Sequence, residues 1–182
     1  MVRSNLLKRL SLLALAGTLS TFLAGYWMFV RPRRVKLIES WEWSGKTLRF
    51  RVEAYGESTF VGGAYYDFRA TPVNSENWET IMTFRHDDPV PIPRGNVRFV
   101  NNEVAYAFMG CKYVITSDSG KTWNLWNAEK DLPGWQCCNY QLIDEVQLNP
   151  DGLGRMILKP IRGRRGELPE LRTTDFGRHW VP

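Results

Sequence analysis

Two aspartates, Asp118 and Asp175, are carboxylates whose surroundings repeat along this chain. Each has a threonine two positions before it, a glycine two positions after it and a tryptophan five positions after it. A carboxylate can act as a general acid or base, but that role requires a reacting group within hydrogen-bond reach. A carboxylate close to a glycine can instead accept backbone N–H groups and close a tight turn. The pattern favours the turn, so we expect both aspartates to be structural.

The pattern assigns a role to each of its other members. Glycine takes a positive φ without a Cβ clash, and the threonine hydroxyl offers a second local hydrogen bond. The tryptophan returns on the next strand and packs its ring beneath the turn, where it buries a large apolar area. The predicted turn residues are Thr116, Asp118, Gly120 and Trp123 in the first copy, and Thr173, Asp175, Gly177 and Trp180 in the second.

Both copies follow strand-like runs, so the repeat is longer than the turn itself. Residues 96–100 and 104–108 precede the first copy, and residues 145–148 and 155–158 precede the second. Such a long internal period indicates a repeated unit of strand, turn, strand, strand and turn. Residues 71–78 keep the threonine and the tryptophan of the pattern but lack its aspartate and glycine. The sequence leaves open whether they form a third copy.

Three cysteines are the candidate redox or metal-binding groups. In an exported domain, Cys111 would form a disulfide with Cys137 or Cys138, which would stabilise the fold by about 3 kcal/mol. The alternative is three reduced thiols, and a single pairing leaves one thiol over. The chain has no Cys-x-x-Cys motif, and His86 and His179 are distant in sequence. We therefore expect neither a metal site nor a cofactor.

Residues 85–88 place an arginine, a histidine and two aspartates side by side. As chemistry, this would be a base beside carboxylates. Turns collect the same residue types, and Pro89 and Pro91 follow directly. We interpret residues 85–88 as a polar turn after a strand over residues 80–84. His179 occupies a variable position of the second turn, and we expect it to be an exposed turn residue.

Arginines and aromatic rings supply the candidate partner surface. Arginines among glycines can bind an acidic partner or a lipid head group, although such runs are more often solvated loops. Surplus aromatic rings either mark a recognition patch or fill a core that is poor in Leu and Ile. Trp41 and Trp43 alternate on one strand face, and we interpret them as core. The candidate partner surface consists of Trp135, Tyr140, Arg162, Arg164 and Arg165.

The beginning of the chain differs from the rest. Residues 10–30 contain no charged side chain and are long enough to cross a bilayer core as a helix. The sequence therefore predicts a signal anchor over residues 1–34 and an exported domain over residues 35–182. A cleavable signal peptide is the alternative, but cutting after Ala16 would leave an exposed apolar tail. A short basic head before one apolar run favours a single pass through a bacterial inner membrane, with the domain in the periplasm.

Charge argues against one class of partner. The net charge is +5, but residues 1–34 hold six basic residues and no acidic one, so residues 35–182 are close to neutral. A near-neutral domain gives no electrostatic reason to expect nucleic-acid binding. Its alternating sequence, rich in Trp and Gly, favours β structure, and we interpret residues 129–134 as a loop. The predicted fold class is all-β, with two or three blade-like antiparallel β-meanders after one transmembrane helix.

The two turns resemble the Asp-box (BNR) repeats of sialidase-type β-propellers. That resemblance implies hairpins far from any catalytic centre, and many Asp-box proteins are not enzymes. Sialidases also use an arginine triad, a Tyr nucleophile and an acid/base Asp, which we cannot place in this sequence. A second resemblance covers residues 96–126, where a Gly110-Cys111 strand runs into the first box. It is similar to small envelope immunity proteins of type VI secretion lipase effectors, which implies stoichiometric blocking of a toxin without turnover.

These observations lead to three functional hypotheses. The first is a non-enzymatic protein-binding domain in the bacterial envelope, anchored through residues 10–30, whose partner is a protein such as a toxin or effector and whose loops make the contacts. The second is a glycan-binding or sialidase-like module that uses the surplus aromatic rings; a glycosidase would need two carboxylates in one cleft. The third is an assembly factor of a membrane complex, which the sequence does not separate from the first.

Overall fold

The computed structural model of the protein describes residues 34–57, 63–132, 142–159 and 170–182, together with Ser20. Over these ranges the chain forms three antiparallel sheets and very little helix. The prediction of an all-β domain is therefore confirmed. The predicted membrane segment lies outside the described residues except for Ser20. Among the residues that are described, no helix is both long enough and apolar enough to span a bilayer.

Each sheet is a meander, because every strand pairs with its neighbours in the chain. The first sheet contains β1 (Arg34–Ser44), β2 (Leu48–Glu57), β3 (Ala64–Pro72) and β4 (Glu79–His86). The second contains β5 (Val97–Phe99), β6 (Ala105–Met109), β7 (Lys112–Thr116) and β8 (Asn124–Asn127). The third contains β9 (Ile143–Leu148), β10 (Gly154–Leu158) and β11 (Glu170–Thr173). Val181 pairs with Arg172 on the free side of β11, in the place that β8 takes in the second sheet.

The second sheet is the central layer of the fold. Successive side chains of a strand point to opposite faces, and β6 is buried over its whole length. Its small residues Ala105 and Ala107 face the core shared with the first sheet. Its aromatic residues Tyr106 and Phe108 face the core shared with the third sheet. Burial on both faces explains why β6 reads as a continuous apolar run instead of an alternating one.

The first and third sheets each turn one face toward the second sheet and one face toward solvent. On β2, Leu48, Phe50 and Val52 are buried, whereas the alternating residues Arg49 and Arg51 lie on the other face. Polar pairs cover both outward faces, and they join Arg51 to Glu42 (3.0 Å), Arg49 to Glu76 (2.8 Å), Arg155 to Gln147 (2.9 Å) and Arg172 to Glu170 (3.1 Å). Both outward faces therefore have the composition of solvated surfaces.

Two local predictions are wrong in part, although Asp87 and Asp88 do form a bend after β4. The strand β4 continues to His86, so Arg85 and His86 are strand residues, and Arg85 is held there by ion pairs to Glu57 and Asp87. The segment interpreted as a loop contains one helical turn, α1 (Ala128–Asp131). Asn127 caps this turn by accepting a hydrogen bond from the backbone N–H of Glu129 at 3.1 Å.

The interpretation of Trp41 as a core residue is also wrong. Trp43 packs against the core between the first and second sheets and donates its indole N–H to the carbonyl of Arg94. Trp41 lies farther along the free edge of β1 and remains 38% exposed, with the guanidinium of Arg94 stacked 3.4 Å above its ring. The two tryptophans do share a face, as their register opposite Val52 and Phe50 requires. The second sheet covers the end of β1 that carries Trp43 better than the end that carries Trp41.

Two tyrosines in the core between the second and third sheets differ in whether the hydroxyl has a hydrogen-bond partner. Tyr106 and Tyr113 are both buried, and their rings lie 5.5 Å apart. The hydroxyl of Tyr106 donates to the carbonyl of Val146 at 2.8 Å, which ties the second sheet to the third. The hydroxyl of Tyr113 is buried without a hydrogen-bond partner in the described part of the chain. Burial raises the pKa of Tyr106 to about 12 and that of Tyr113 well above its ordinary value.

This contrast predicts opposite effects for one substitution at two positions. Tyr106→Phe should lower the free energy of unfolding by about 1 kcal/mol, because the carbonyl of Val146 loses its donor. Tyr113→Phe should be neutral or stabilise by up to about 1 kcal/mol, because it removes a polar atom that is buried without a partner. Urea denaturation of the full chain, followed by tryptophan fluorescence, measures both. A larger loss for Tyr113→Phe than for Tyr106→Phe would contradict this assignment.

Candidate functional site

The first predicted turn joins β7 to β8 and is closed by two side chains. The hydroxyl of Thr116 donates to Oδ1 of Asp118 at 2.8 Å and accepts the backbone N–H of Gly120 at 2.8 Å. Asp118 also accepts the backbone N–H of Thr122 at 2.9 Å and the hydroxyl of Thr122 at 2.6 Å. Thr116 is buried, whereas the rest of the turn is at the surface. The carboxylate of Asp118 is therefore engaged by the turn itself.

The second predicted turn follows β11 and has the same bonds. The hydroxyl of Thr173 donates to Oδ1 of Asp175 at 2.8 Å and accepts the N–H of Gly177 at 2.9 Å. The backbone N–H of His179 donates to Oδ1 of Asp175 at 3.1 Å. The imidazole of His179 contacts Oδ2 at 2.5 Å, in the place that the Thr122 hydroxyl takes in the first turn. His179 is exposed, as expected, but it has a defined partner, which the sequence pattern did not indicate.

Backbone conformation repeats together with the bonds. Gly120 and Gly177 have φ values of 85° and 77°, which the sequence analysis anticipated. The preceding residues, Ser119 and Phe176, also have positive φ values of 60° and 64°. Positive φ is uncommon for residues other than glycine and is strained for a bulky residue such as Phe176. The sequence pattern does not predict this positive φ, because Ser119 and Phe176 occupy a variable position of the pattern.

Each turn holds its tryptophan against the sheet that precedes it. The ring of Trp123 lies 5.5 Å from that of Phe50 in the first sheet, in an edge-to-face arrangement. The ring of Trp180 lies 5.5 Å from that of Tyr113 in the second sheet, at right angles to it. A Cβ placed on Gly177 would lie 3.0 Å from Trp180 and 2.6 Å from the hydroxyl of Tyr113. The turns therefore connect neighbouring sheets as well as neighbouring strands.

The two turns also contact each other. The guanidinium of Arg178 in the second turn donates to the hydroxyl of Ser117 in the first at 2.7 Å. The carboxamide of Asn124 donates to the carbonyl of Arg178 at 3.2 Å. Both turns thus lie at one end of the sheet stack, which we name the turn end and define by residues 116–123 and 173–180.

Residues 71–78 occupy the same topological position in the first sheet, between its third and fourth strands. Thr71 is buried like the threonines of the other turns, but its hydroxyl donates to the carbonyl of Ser75 at 3.3 Å. Trp78 lies beneath the guanidinium of Arg51, 4.0 Å from Cζ to the ring centroid. This turn therefore has the same place in its sheet as the other two, but no aspartate carboxylate closes it.

The ionisation of the two carboxylates reflects these bonds. The hydroxyl of Thr122, the strongest influence, together with backbone N–H groups and Thr116, lowers the pKa of Asp118 to about 2. For Asp175, burial is the largest single effect and raises the pKa, but hydrogen bonds from His179 and Thr173 outweigh it. The net pKa of Asp175 is below its ordinary value. Neither group has the raised pKa that a general acid near neutral pH requires.

A polar groove of about 510 Å³ lies between the second and third sheets, where it is lined by residues of β5, β6 and β9. Tyr106 and Phe108 form its floor, Arg98 lies on the β5 side, and Asp144 and Glu145 lie on the β9 side. Asp144 forms an ion pair with Lys159 at 2.8 Å, and Glu145 accepts a hydrogen bond from Gln147. The groove presents charges of both signs, which suits a polar partner more than an apolar ligand.

The opposite end of the stack, which we name the loop end, is defined by residues 110–111, 128–132, 142 and 159. The backbone N–H of Lys159 donates to the carbonyl of Leu142 at 2.7 Å, and that of Ile143 donates to Gly110 at 2.8 Å. The N–H of Ala128 donates to the carbonyl of Cys111 at 2.9 Å. The described residues on either side of 133–141 are thereby tied to the 110–111 turn, and Lys159, which precedes 160–169, is tied to Leu142.

Cys111 is buried at this loop end and forms no disulfide with another described residue. Burial, followed by the charge of Glu129, raises its pKa to about 11, which makes it a poor nucleophile at neutral pH. Cys137 and Cys138 lie outside the described residues, so the disulfide remains a prediction. The candidate partner residues Trp135, Tyr140, Arg162, Arg164 and Arg165 also lie outside the described residues. No group of three His, Cys, Asp or Glu side chains in the described ranges is placed to hold a metal ion.

Comparison with known proteins does not assign this chain to a family. No protein-family model, no curated protein and no solved structure matches it. The turn geometry and the sheet order therefore carry the functional argument.

The bonds to Asp118 predict a measurable loss when its carboxylate is removed. Asp118→Ala should lower the free energy of unfolding by about 2 kcal/mol at pH 7, because donors from Thr122 and Thr116 lose a charged acceptor. Asp87→Ala is the matched control: its side chain is 70% exposed and pairs only at the surface, so the loss should stay below about 0.5 kcal/mol. Denaturation of both variants in the full chain measures the difference, and equal losses would contradict the structural role.

The same carboxylate predicts a dependence on pH. A pKa lowered in the folded state contributes stability that is present above the unfolded value, near 4, and is lost as pH falls toward about 2. Wild-type stability should therefore decline more steeply than that of Asp118→Ala between pH 4 and pH 2. Parallel stability curves for the two proteins over that interval would show that Asp118 does not bind its donors in the folded state.

Proposed function

We propose that this chain is a membrane-anchored, non-enzymatic protein-binding domain of the bacterial envelope, built from blade-like Asp-box meanders. The observation that carries the proposal is the bonding of Asp118 and Asp175, whose carboxylates close turns instead of facing the groove. Residues 10–30 supply the anchor, since they contain no charge and are long enough to cross a bilayer core. The short basic head before this segment favours a domain that faces the periplasm.

The geometry of the turns supports the Asp-box assignment. In both copies the threonine hydroxyl, the carboxylate, the positive φ and the tryptophan beneath the turn occur together. The sheets stack face to face through two apolar cores, as neighbouring blades do in propellers. The outward faces of the first and third sheets are polar, which favours an open stack of blades over a closed ring.

The proposed partner is a protein, and the groove between β5, β6 and β9 is the part of its docking surface that the structure describes. Arg98 is exposed there and forms no ion pair with another described residue, whereas Asp144 and Glu145 are each engaged by a neighbour. A partner that places a carboxylate against Arg98 would complete this surface. A toxin of the type VI lipase effector class is the partner that the sequence resemblance favours, blocked by complementarity without turnover.

The aromatic rings offer less support for the glycan alternative. Sugar binding requires an open ring face, and in the described residues the rings of Trp41 and Trp78 are each covered by an arginine. An arginine stacked on indole already satisfies that face through a cation–π contact. Protein binding through a mixed-charge groove is therefore the better-supported hypothesis.

Affinity capture with the full chain tests this function. The tagged chain, solubilised from envelopes in mild detergent, should retain a protein partner, and co-expression should protect cells against a periplasmic lipase effector that it binds. Arg98→Glu should weaken capture by about tenfold, because it reverses the exposed charge in the groove. Lys46→Glu, an exposed charge in the β1–β2 turn, should leave capture unchanged. Retention on a glycan array without any protein partner would contradict the proposal.

A further inference from the structure

Three large apolar side chains are exposed within five residues of β1. Leu37 is 47% exposed, Ile38 is 54% exposed and Trp41 is 38% exposed. β1 is an edge strand, since it pairs with β2 and with no other described strand. The remaining large exposed hydrophobic residues lie on other parts of the described chain: Val73 and Leu153 in turns, and Leu125 and Val181 along one groove beside Trp180. Leu37 lies opposite Tyr55 and Trp41 opposite Val52, so these side chains flank the free edge from the two faces of the sheet. Single exposed residues are ordinary, whereas three within five residues of a free edge indicate that the edge itself is a contact surface.

Two exposed basic side chains, Lys36 and Arg94, lie beside this cluster. Arg94 lies over the ring of Trp41 with its guanidinium 3.4 Å from the ring centroid, and its side chain remains 57% exposed. Lys36 is exposed one position before Leu37. Glu39 and Glu42 are acidic neighbours on β1. Glu39 is engaged by the N–H of Ile92 and by Arg94, and Glu42 is paired with Arg49 and Arg51. Aliphatic side chains, an indole ring and exposed cations together match the boundary between acyl chains and anionic head groups.

The position of β1 in the chain also favours the membrane surface as the partner of this edge. β1 begins at Arg34, four residues after the uncharged stretch 10–30. An extended chain covers at most about 3.5 Å per residue, so Leu37 lies within about 25 Å of Val30. If residues 10–30 cross the bilayer, the cluster on β1 cannot move far from the membrane surface. A second copy of the chain has no comparable constraint that would hold it against this edge.

We propose that the free edge of β1 rests on the anionic phospholipid surface of the membrane that anchors the chain. Leu37, Ile38 and Trp41 enter the head-group region, and Lys36 and Arg94 bind lipid phosphates. This inference rests on the proposed anchoring by residues 10–30. The contact orients the domain and keeps the groove between the second and third sheets, two layers away from β1, open to a partner.

Brominated-lipid quenching of tryptophan fluorescence tests the contact in the full chain. The chain is reconstituted into vesicles that contain phosphatidylglycerol and lipids brominated on their acyl chains near the head group. Trp41→Phe should remove one tryptophan's share of the quenched signal. Trp78→Phe is the matched control, since Trp78 also stacks on an arginine but directly precedes β4, the strand at the opposite edge of the first sheet from β1. It should leave the quenched signal unchanged.

A second variant distinguishes loss of the membrane contact from a local change in the ring of Trp41. Leu37→Glu with Ile38→Glu should reduce quenching as Trp41→Phe does, because two carboxylates repel the anionic surface. Val73→Glu, an exposed apolar position on another element, should not reduce it. Vesicles without phosphatidylglycerol should give weaker quenching for the wild type, and the difference should shrink at high salt.

Three results would overturn the inference, and they are distinguishable. Release of the chain from vesicles by alkaline carbonate would contradict the anchor, and the proposed function would fail with it. A retained chain with equal quenching in Trp41→Phe and Trp78→Phe would contradict the β1 contact alone. Quenching that is absent while cross-linking through β1 rises with protein density would show that a second copy covers this edge.

Discussion

A buried threonine hydroxyl bonded to an aspartate carboxylate is the constraint on which the arrangement of the sheets depends. Thr116 and Thr173 are inaccessible at the ends of β7 and β11, and each fixes the carboxylate two residues later. That carboxylate orders the tip of the turn, and the tip in turn places a tryptophan against the sheet before it. Local hydrogen bonds thereby support a long-range contact, because the ordered turn holds the tryptophan where it meets the neighbouring sheet.

The second sheet shows how sequence and packing combine in this fold. It is buried on both faces, so β6 lacks the alternation of buried and partly exposed residues that begins β2. The face toward the first sheet carries alanines, and the face toward the third carries tyrosine and phenylalanine. Small residues on one side permit close approach of the first sheet, whereas large ones on the other fill the wider core that also receives Trp180.

The sequence predicted the repeated turns, the all-β class and the role of each residue in the pattern, because these follow from short-range chemistry. It did not predict what depends on distant neighbours. Trp41 and Trp43 have the same spacing as two core residues, yet only Trp43 is covered by the second sheet. The contact between His179 and Asp175 was missed because His179 occupies a variable position of the pattern. The polar groove was not predictable either, since β5, β6 and β9 meet only in the folded chain.

Amide hydrogen exchange at the tips of the two turns tests the central claim most directly. The backbone N–H groups of Gly120, Thr122, Gly177 and His179 lie in surface turns, yet each donates to a side-chain oxygen of the fastening threonine or aspartate. These four amides should exchange as slowly as amides within β7, because opening them requires the turn to come apart. Exchange at the rate of unprotected loop amides would show that the turns do not fasten the sheets.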